Sequence, residues 1–328
     1  MTQRHKHLTA LLVLLMLALA GCASNPARDA GAAGYSELYN GEMKVAHEAA
    51  EHEATLEETI ARGDHDLAAG DTDHALYEYV HALEISGGDA ETLNKIGAIH
   101  THLGDMGLAA RAYMLSLKLD AENPAALEGV GLIFLRERRY DDARRHLTAA
   151  LEKDPQRWQS HNGLGMIADL EGDHTKAADH YMQALEMQPG SRQLPDTALL
   201  LNNLGYSLYL AGDWPGALQR FHKALDYNPD FERAWQNLGL VYTRRGEYDR
   251  ALEAFRHVMD KPEAYNNVGY VCMINDRYDL AEHYFRQAID LSPTYYIKAH
   301  DNLEQLNTLR SNAANQTATR SPGGQSDK

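Results

Sequence analysis

Residues 264 to 293, AYNNVGYVCMINDRYDLAEHYFRQAIDLSP, hold residue types from which an active site could be built. Asn266 and Asn267 offer amides, Cys272 offers a thiol, and His283 offers an imidazole that titrates near neutral pH. Such a set could supply a nucleophile with its base, or part of a metal site. The same residues could instead belong to a packing unit that recurs along the chain, and the rest of the sequence decides between the two.

Glycine and alanine recur at one common period through most of the chain. The glycines stand at positions 63, 97, 131, 165, 205, 239 and 269, and the alanines at 75, 109, 143, 177, 217, 251 and 281. Both series advance by 34, 34, 34, 40, 34 and 30 residues, so two residue types keep the same spacing. A large apolar residue follows each alanine by four positions, which places the two on one face of a helix.

Helix-breaking residues divide each of these units in two. Gly-Asp or Gly-Glu pairs begin at positions 70, 104, 172, 212 and 246, and prolines at 155, 189, 229 and 293 are expected to end the second helix. Each unit is therefore predicted to be a helical hairpin.

The stretch AWQNLGLVYTRRGEYDRALEAF, residues 234 to 255, resembles the tetratricopeptide repeat (TPR), whose pattern sets Trp, Leu-Gly, Tyr, Ala and Phe at fixed offsets. The resemblance predicts an all-α fold, a TPR solenoid of seven helical hairpins plus a C-terminal capping helix. In such a hairpin the glycine and first alanine let the helices approach closely, and the aromatic residue is expected to fill the gap toward the neighbouring hairpin.

The predicted domain boundaries follow this period. They are a lipoprotein signal peptide at 1–21, a flexible tether at 22–34, an acidic helix at 35–55, TPR repeats 1–4 at 56–191, an insertion at 192–197, TPR repeats 5–7 at 198–295, a capping helix at 296–310 and a disordered tail at 311–328. The insertion is expected to divide the solenoid into two blocks, and the sixth repeat is short.

The amino terminus has the pattern of an export signal. Arg4 and Lys6 precede an apolar run from Leu8 to Ala20, which is too short for the roughly 20 residues of a membrane span but suits a signal peptide. The run ends in Leu-Ala-Gly-Cys22, which resembles the lipobox of bacterial lipoproteins. That resemblance implies fatty acylation of Cys22, palmitate included, and a periplasm-facing anchor in the inner leaflet of the outer membrane. An ordinary signal peptide with a chance cysteine is the alternative.

The charge of the chain excludes one class of partner. The formal net charge is -16, and the segment from 37 to 91 is strongly acidic, with Lys44 and Arg62 as its only lysine or arginine residues. Nucleic-acid phosphates require cationic contacts, so no nucleic acid is expected as a partner.

Residues that could carry chemistry are better explained without it. His47 and His52 are five residues apart, whereas histidines that share a metal on one helix face are four apart. Cys272 falls at a core position of the repeat, where thiols are usually inert. The sequence contains no glycine-rich phosphate loop and no Gly-x-Ser-x-Gly motif. We therefore predict no enzyme activity, no catalytic residue, no metal and no cofactor.

What remains for function is the groove that first helices line in this repeat family. The resemblance implies a peptide-binding groove in repeats five to seven, formed by residues before and after each glycine. These are Asn202, Asn203, Tyr206, Tyr209, Gln236, Asn237, Leu240, Thr243, Asn266, Asn267, Tyr270 and Met273. The amides could pair with an extended peptide and the apolar groups could bury its side chains, although the asparagines could equally bridge neighbouring helices.

The C-terminal repeats suggest which system the chain serves. The stretches LLLNNLGYSLYLAGDWPGALQRF and EAYNNVGYVCM, with the shortened sixth repeat, resemble the TadD lipoproteins of tight-adherence (Flp-type) pilus assembly systems. This implies a non-enzymatic, lipid-anchored scaffold whose partners are proteins of a pilus or secretion complex. A pilotin-like lipoprotein of type IV pili and an adapter that recruits peptidoglycan hydrolases remain alternatives, and an enzymatic or metal-binding module is a remote one.

Overall fold

The computed structural model describes residues 35–39, 54–187, 195–292, 294 and 296–320, with side chains as far as Asn312. These residues form fifteen α-helices and one 3₁₀ turn, with no β-strand among them, which confirms the predicted all-α class. The helices are α1 (Leu56–Ala68), α2 (Thr72–Ser86), α3 (Ala90–Leu103), α4 (Met106–Leu119), α5 (Pro124–Arg136), α6 (Tyr140–Lys153), α7 (Trp158–Leu170), α8 (His174–Met187), α9 (Pro195–Leu210), α10 (Trp214–Tyr227), α11 (Glu232–Arg245), α12 (Tyr248–Arg256), α13 (Lys261–Ile274), α14 (Tyr278–Leu291) and α15 (Ile297–Arg320).

Odd and even helices pair into the seven predicted hairpins, and a left-handed residue turns each one. Gly70, Gly104, Gly172, Gly212 and Gly246 have φ between 79° and 88°, a conformation that costs glycine little. The third and seventh hairpins place Arg138 and Asp276 at the same position, with φ of 62° and 58°. The left-handed turn between the two helices is therefore kept in the two hairpins that lack a glycine at this position.

Helix starts are set by short polar side chains. Thr55 and Glu58 form a reciprocal capping box at the start of α1, and Asp89, Asn123 and Asp260 each accept a bond from a backbone N–H two or three residues into the helix that follows. Pro155 and Pro229 follow the ends of α6 and α10, as predicted. Pro189 and Pro293 lie outside the described residues.

The recurring glycine and aromatic residue meet within one hairpin. A Cβ on Gly239 would lie 2.6 Å from the ring of Phe255, and one on Gly205 would lie 2.7 Å from the ring of Phe221. The missing side chain of the glycine therefore leaves room for the ring inside its own hairpin. Phe221 and Phe255 also belong to a core that continues into the following repeats. The ring of Tyr113 lies against Gly129 of the next repeat as well, as expected for a residue that fills the gap between hairpins.

The chain divides into two compact units that meet between Ser160 and His161. The sequence instead predicted a division at the insertion, residues 192–197. Helix α8 packs on α9 across that insertion, and Asn203 donates to the Asn162 side-chain oxygen at 3.0 Å. These contacts join the repeats on either side of the insertion into one unit.

The insertion and the short sixth repeat both change the helices beside them. Pro195 to Thr197, the last three residues of the predicted insertion, form the first turn of α9, while residues 192–194 lie outside the described part. The shortening of the sixth repeat falls on α12, which has 9 residues where the other second helices have 14 or 15.

Two predicted boundaries are wrong. Tyr39 is extended after a 3₁₀ turn at Ser36–Leu38, so residues 35–55 are not one helix. At the other end α15 continues to Arg320 through the predicted disordered tail, because no proline or glycine interrupts the chain until Pro322. Residues 1–34, predicted to form a signal peptide and a tether, and residues 321–328 lie outside the described residues.

Candidate protein-binding surface

First helices of the second unit lie side by side and carry the predicted groove residues. Helix α9 packs beside α11, α11 beside α13, and α13 beside the capping helix α15. Because the glycines keep one register, equivalent positions on these helices form rows that cross the repeats. The structure sorts the predicted residues into three groups: bridging amides, buried core residues and exposed side chains.

The asparagines bridge neighbouring repeats. The Nδ2 of Asn237 donates to Oδ1 of Asn202 at 2.8 Å, and Asn302 donates to Asn266 at 2.9 Å in the same register. Asn202 and Asn266 are almost fully buried. The Nδ2 of Asn267 lies 3.1 Å from the Met259 sulfur. These amides hold first helices together, so they contribute less to peptide recognition than the sequence suggested.

Two further predicted groove residues are in the interior. Thr243 and Met273 are each 2% exposed. The Thr243 hydroxyl donates to the Gly239 carbonyl of its own helix at 2.7 Å, and Met273 packs in the core of the second unit. Placing Thr243 and Met273 in the groove is wrong, because both side chains lie in the interior of the second unit.

Two aromatic residues of the groove are exposed, and the third, Tyr209, is half-buried. Tyr206 and Tyr270 each stand one residue after a repeat glycine, and Tyr206 lies near Tyr209, with ring centroids 6.0 Å apart. Tyr209 also accepts a bond from Nε of Arg244 at 3.3 Å. Gln236 is exposed and Leu240 is half-buried. The three tyrosines, the glutamine and the leucine keep their place in the candidate surface.

A second set of exposed apolar residues, not among the predicted groove residues, stands four residues further along each helix than these tyrosines. On α7, α9 and α13 a large apolar residue is exposed both one and five positions after the glycine. Leu309 continues this row on α15, seven residues after Asn302, as Leu210 follows Asn203. The row consists of Met166, Leu170, Tyr206, Leu210, Leu240, Tyr270, Ile274 and Leu309, and apart from the half-buried Leu240 its members are 36% to 62% exposed.

This row, which we call the apolar row, is a contiguous feature of one unit. Positions four residues apart share a helix face, and the first helices that carry them are neighbours. Arg244 takes the fifth position in the sixth repeat and is the one basic member of the series. Exposed apolar side chains of this number on a single face mark interaction sites in soluble proteins.

The thiol that the sequence offers as a nucleophile lies in the core of the second unit. Cys272 is buried, and burial raises the pKa of its thiol, which keeps it protonated at neutral pH. Among the described residues no group of three or more His, Cys, Asp or Glu side chains could hold a metal ion. His47 and His52 lie outside the part of the chain that the structure describes.

Within the described ranges, no helix combines the length and the apolar character that crossing a membrane requires. Cys22, the predicted lipidation site, lies outside these ranges.

Comparison with known families agrees with the repeat geometry. Models described as tetratricopeptide repeat match residues 90–123, 129–192, 202–258 and 262–295, which together make up more than half of the chain. The chain belongs to the tetratricopeptide-repeat family. Members of this fold are characteristically protein-binding scaffolds without catalytic residues.

Solved structures with this fold include bacterial proteins. PilW, titled a type IV pilus biogenesis factor, is 16% identical with a TM-score of 0.51, and the match covers 66% of this chain and 97% of that one. PilF of Pseudomonas aeruginosa is 16% identical with a TM-score of 0.50 over the same shares. At these identities the likeness shows the fold alone.

Curated relatives match over one short region. Two probable UDP-N-acetylglucosamine–peptide N-acetylglucosaminyltransferases named SPINDLY, from Oryza sativa subsp. japonica and Hordeum vulgare, are each 33% identical over 66 residues, or 20% of this chain. The match spans only 7% of the length of these relatives.

Proposed function

We propose that this protein is a non-catalytic scaffold that holds a partner protein against the apolar row of its second unit. The observation that carries the proposal is the repetition of exposed apolar side chains at the same two positions of successive first helices. Random surface composition does not repeat in register, and burying such side chains provides about 1.5–3 kcal/mol each. The apolar row therefore has the properties of a surface that binds another protein.

The chemistry of the row favours an apolar partner segment. Asn202 and Asn266, which could have served an extended peptide backbone, have their oxygens bonded to the next repeat. Side-chain burial rather than backbone pairing then dominates recognition, which suits the apolar face of a partner helix. Gln236 and Arg244 offer polar contacts along the sixth repeat.

The proposed location is the periplasmic face of the outer membrane. It is supported by the basic residues, apolar run and Leu-Ala-Gly-Cys22 motif at the amino terminus. Acylation of Cys22, with palmitate among its chains, would anchor the scaffold in the inner leaflet.

Replacing Cys22 with Ser is expected to abolish incorporation of a fatty-acid analogue, because the thiol that accepts the lipid is lost. Metabolic labelling followed by gel analysis measures this, with Cys272→Ser as the matched control that keeps the lipobox. Labelling that persists in Cys22→Ser would show that the anchor assignment is wrong while leaving the apolar row untouched.

The system proposed for this scaffold is assembly or localisation of a pilus or secretion machine. Its support is the resemblance of repeats five to seven to the TadD lipoproteins. A pilotin-like role in type IV pili and recruitment of peptidoglycan hydrolases are the alternatives.

The test is affinity capture of the tagged protein from envelopes solubilised in mild detergent, followed by identification of what is retained. Recovery of a secretin or pilus component supports the proposal. Selective recovery of a peptidoglycan hydrolase would favour the adapter role instead. If no envelope protein is retained above a tag-only control, the scaffold proposal is wrong.

A further inference from the structure

A five-residue segment that precedes the repeats in sequence packs on the first two of them. Tyr35 is 2% exposed and Leu38 is fully buried, and both belong to the core formed by α2 and α3. Burial of this degree is unusual for a single 3₁₀ turn outside the repeats. We refer to Tyr35–Tyr39 as the docked segment.

Tyr35 of the docked segment contacts Gly87 and Gly88 at the end of α2. Its hydroxyl lies 3.4 Å from the carbonyl oxygen of Gly87, to which it donates, and a Cβ on Gly88 would lie 2.6 Å from the same hydroxyl. Both glycines have positive φ. Second helices α4, α6 and α10 instead end in an extended residue, so the first repeat differs from these three at its end.

The leucine of the docked segment is held by a buried histidine. Nε2 of His100 lies 2.7 Å from the Leu38 carbonyl oxygen, and His100 has no exposed surface. Equivalent positions in other repeats carry Phe134, Tyr242 and Cys272. A polar ring at a core position is costly without a partner, and the docked segment supplies that partner.

Two peripheral contacts complete the arrangement. Glu37 pairs with Arg111 of α4, and the Tyr39 ring meets Tyr77 of α2 edge to face with centroids 6.4 Å apart. The docked segment therefore lies against α2, α3 and α4 of repeats one and two. It belongs to the first unit, whereas the residues of the apolar row belong to the second.

We propose that the first two repeats form a second peptide-binding site, which recognises a Tyr-x-Glu-Leu segment and which the chain fills with its own residues 35–38. Four residues of these repeats match groups of the segment. Gly87 and Gly88, a pair that the other repeats lack, contact its tyrosine hydroxyl. His100, also different from its equivalents, meets the leucine carbonyl, and Arg111 pairs with the glutamate. A free peptide of the same chemistry competes with the docked segment for this site. The proposal is independent of the partner bound by the apolar row.

The covalent linkage of the docked segment to its site lowers the apparent affinity of a competing free peptide. A ligand joined to its site by a short stretch of chain has an effective concentration on the order of millimolar. The unmodified protein therefore binds a free copy of the peptide poorly, and removing the side chains of the docked segment exposes the site.

The test uses the full-length chain in detergent and a fluorescein-labelled peptide of residues 33–42, with fluorescence anisotropy as the readout. We expect Tyr35→Ser/Leu38→Ser to bind the peptide at least tenfold more tightly than the unmodified chain, and a scrambled peptide to bind neither. Failure of the double variant to bind, or equal binding of the scrambled peptide, would overturn the proposal.

A second experiment, which exchanges the charges of Glu37 and Arg111, tests the proposal if the double variant unfolds. Glu37→Lys changes only an exposed residue, and it should loosen the docked segment and raise binding of the natural peptide several-fold. Adding Arg111→Glu should then reverse that gain, because the new glutamate attracts the introduced lysine in cis and repels the acid of the peptide. Arg145→Glu, at the equivalent position of the third repeat, is the matched control. If Arg111→Glu has no more effect than Arg145→Glu, the site assignment is wrong.

Discussion

Replacing Tyr206 and Tyr270 together with Asp is expected to reduce capture of the partner at least a hundredfold while leaving helix content intact. Both side chains are exposed in the free protein, so the fold does not depend on them. In the complex each substitution removes buried aromatic surface and forces a carboxylate out of water, at about 2 kcal/mol per site. Quantitative recovery from solubilised envelopes measures the loss, with circular dichroism as the check on folding.

The control for this prediction is a pair of equally exposed apolar residues off the row. Met182 on α8 and Leu280 on α14 lie on second helices of the same unit. Met182→Asp/Leu280→Asp should leave recovery unchanged. Equal losses in the two double variants would mean that capture reflects general stickiness of the unit, and the row would lose its assignment.

Replacing Glu128 with Ala is expected to destabilise the first unit by about 3 kcal/mol, since a buried charge network loses its centre. Glu128 is 6% exposed; its Oε1 accepts from Nη1 of Arg157 at 2.9 Å, and its Oε2 accepts from the Ser160 backbone N–H at 3.0 Å and hydroxyl at 2.8 Å. Alanine leaves these donors without their acceptor inside the protein. Urea denaturation followed by circular dichroism measures the change.

Glu137 provides the matched comparison, because its carboxylate also pairs with an arginine but lies about half exposed at the surface. Glu137→Ala should leave the transition where it is. Glu128→Gln should fall between the two, as it keeps an acceptor but loses the charge. A Glu128→Ala transition that coincides with that of Glu137→Ala would show that the network contributes nothing net.

The hairpins could be predicted from sequence because their determinants are local and repeated. Gly239, Ala251 and Phe255 recur with the same offsets in neighbouring repeats, so the periodicity identifies helices, turns and register together. What the periodicity does not give is where a repeat departs from its neighbours. Arg138 turns its hairpin without a glycine, and α15 runs past its predicted end because nothing stops it.

The candidate surface was only partly predictable for a geometric reason. Residues one and five after the glycine differ by about 40° around an α-helix, whereas the fourth differs from the first by about 60° in the other direction. That rotation turns Met273 into the core while Ile274 stays exposed. Choosing the fourth position rather than the fifth therefore selected the buried Thr243 and Met273 beside the half-buried Tyr209, and missed the exposed Leu210 and Ile274.

The docked segment could not be predicted from local pattern, because five residues carry no periodicity. Two signals in the repeats did point to it. Gly87 and Gly88 stand where later repeats carry other residues, and His100 is a polar ring at an apolar position. The docked segment packs on both: its tyrosine hydroxyl meets the glycines, and its leucine carbonyl meets Nε2 of His100.

The docked segment also sets how far the scaffold can reach. Thirteen residue steps separate Cys22 from Tyr35, a maximum span of about 45 Å, whereas the path from Cys22 to the start of α1 would span about 120 Å if the segment were released. Occupying the site with a competing peptide would therefore raise the maximum length of chain between Cys22 and the point where the repeats hold it from about 45 Å to about 120 Å.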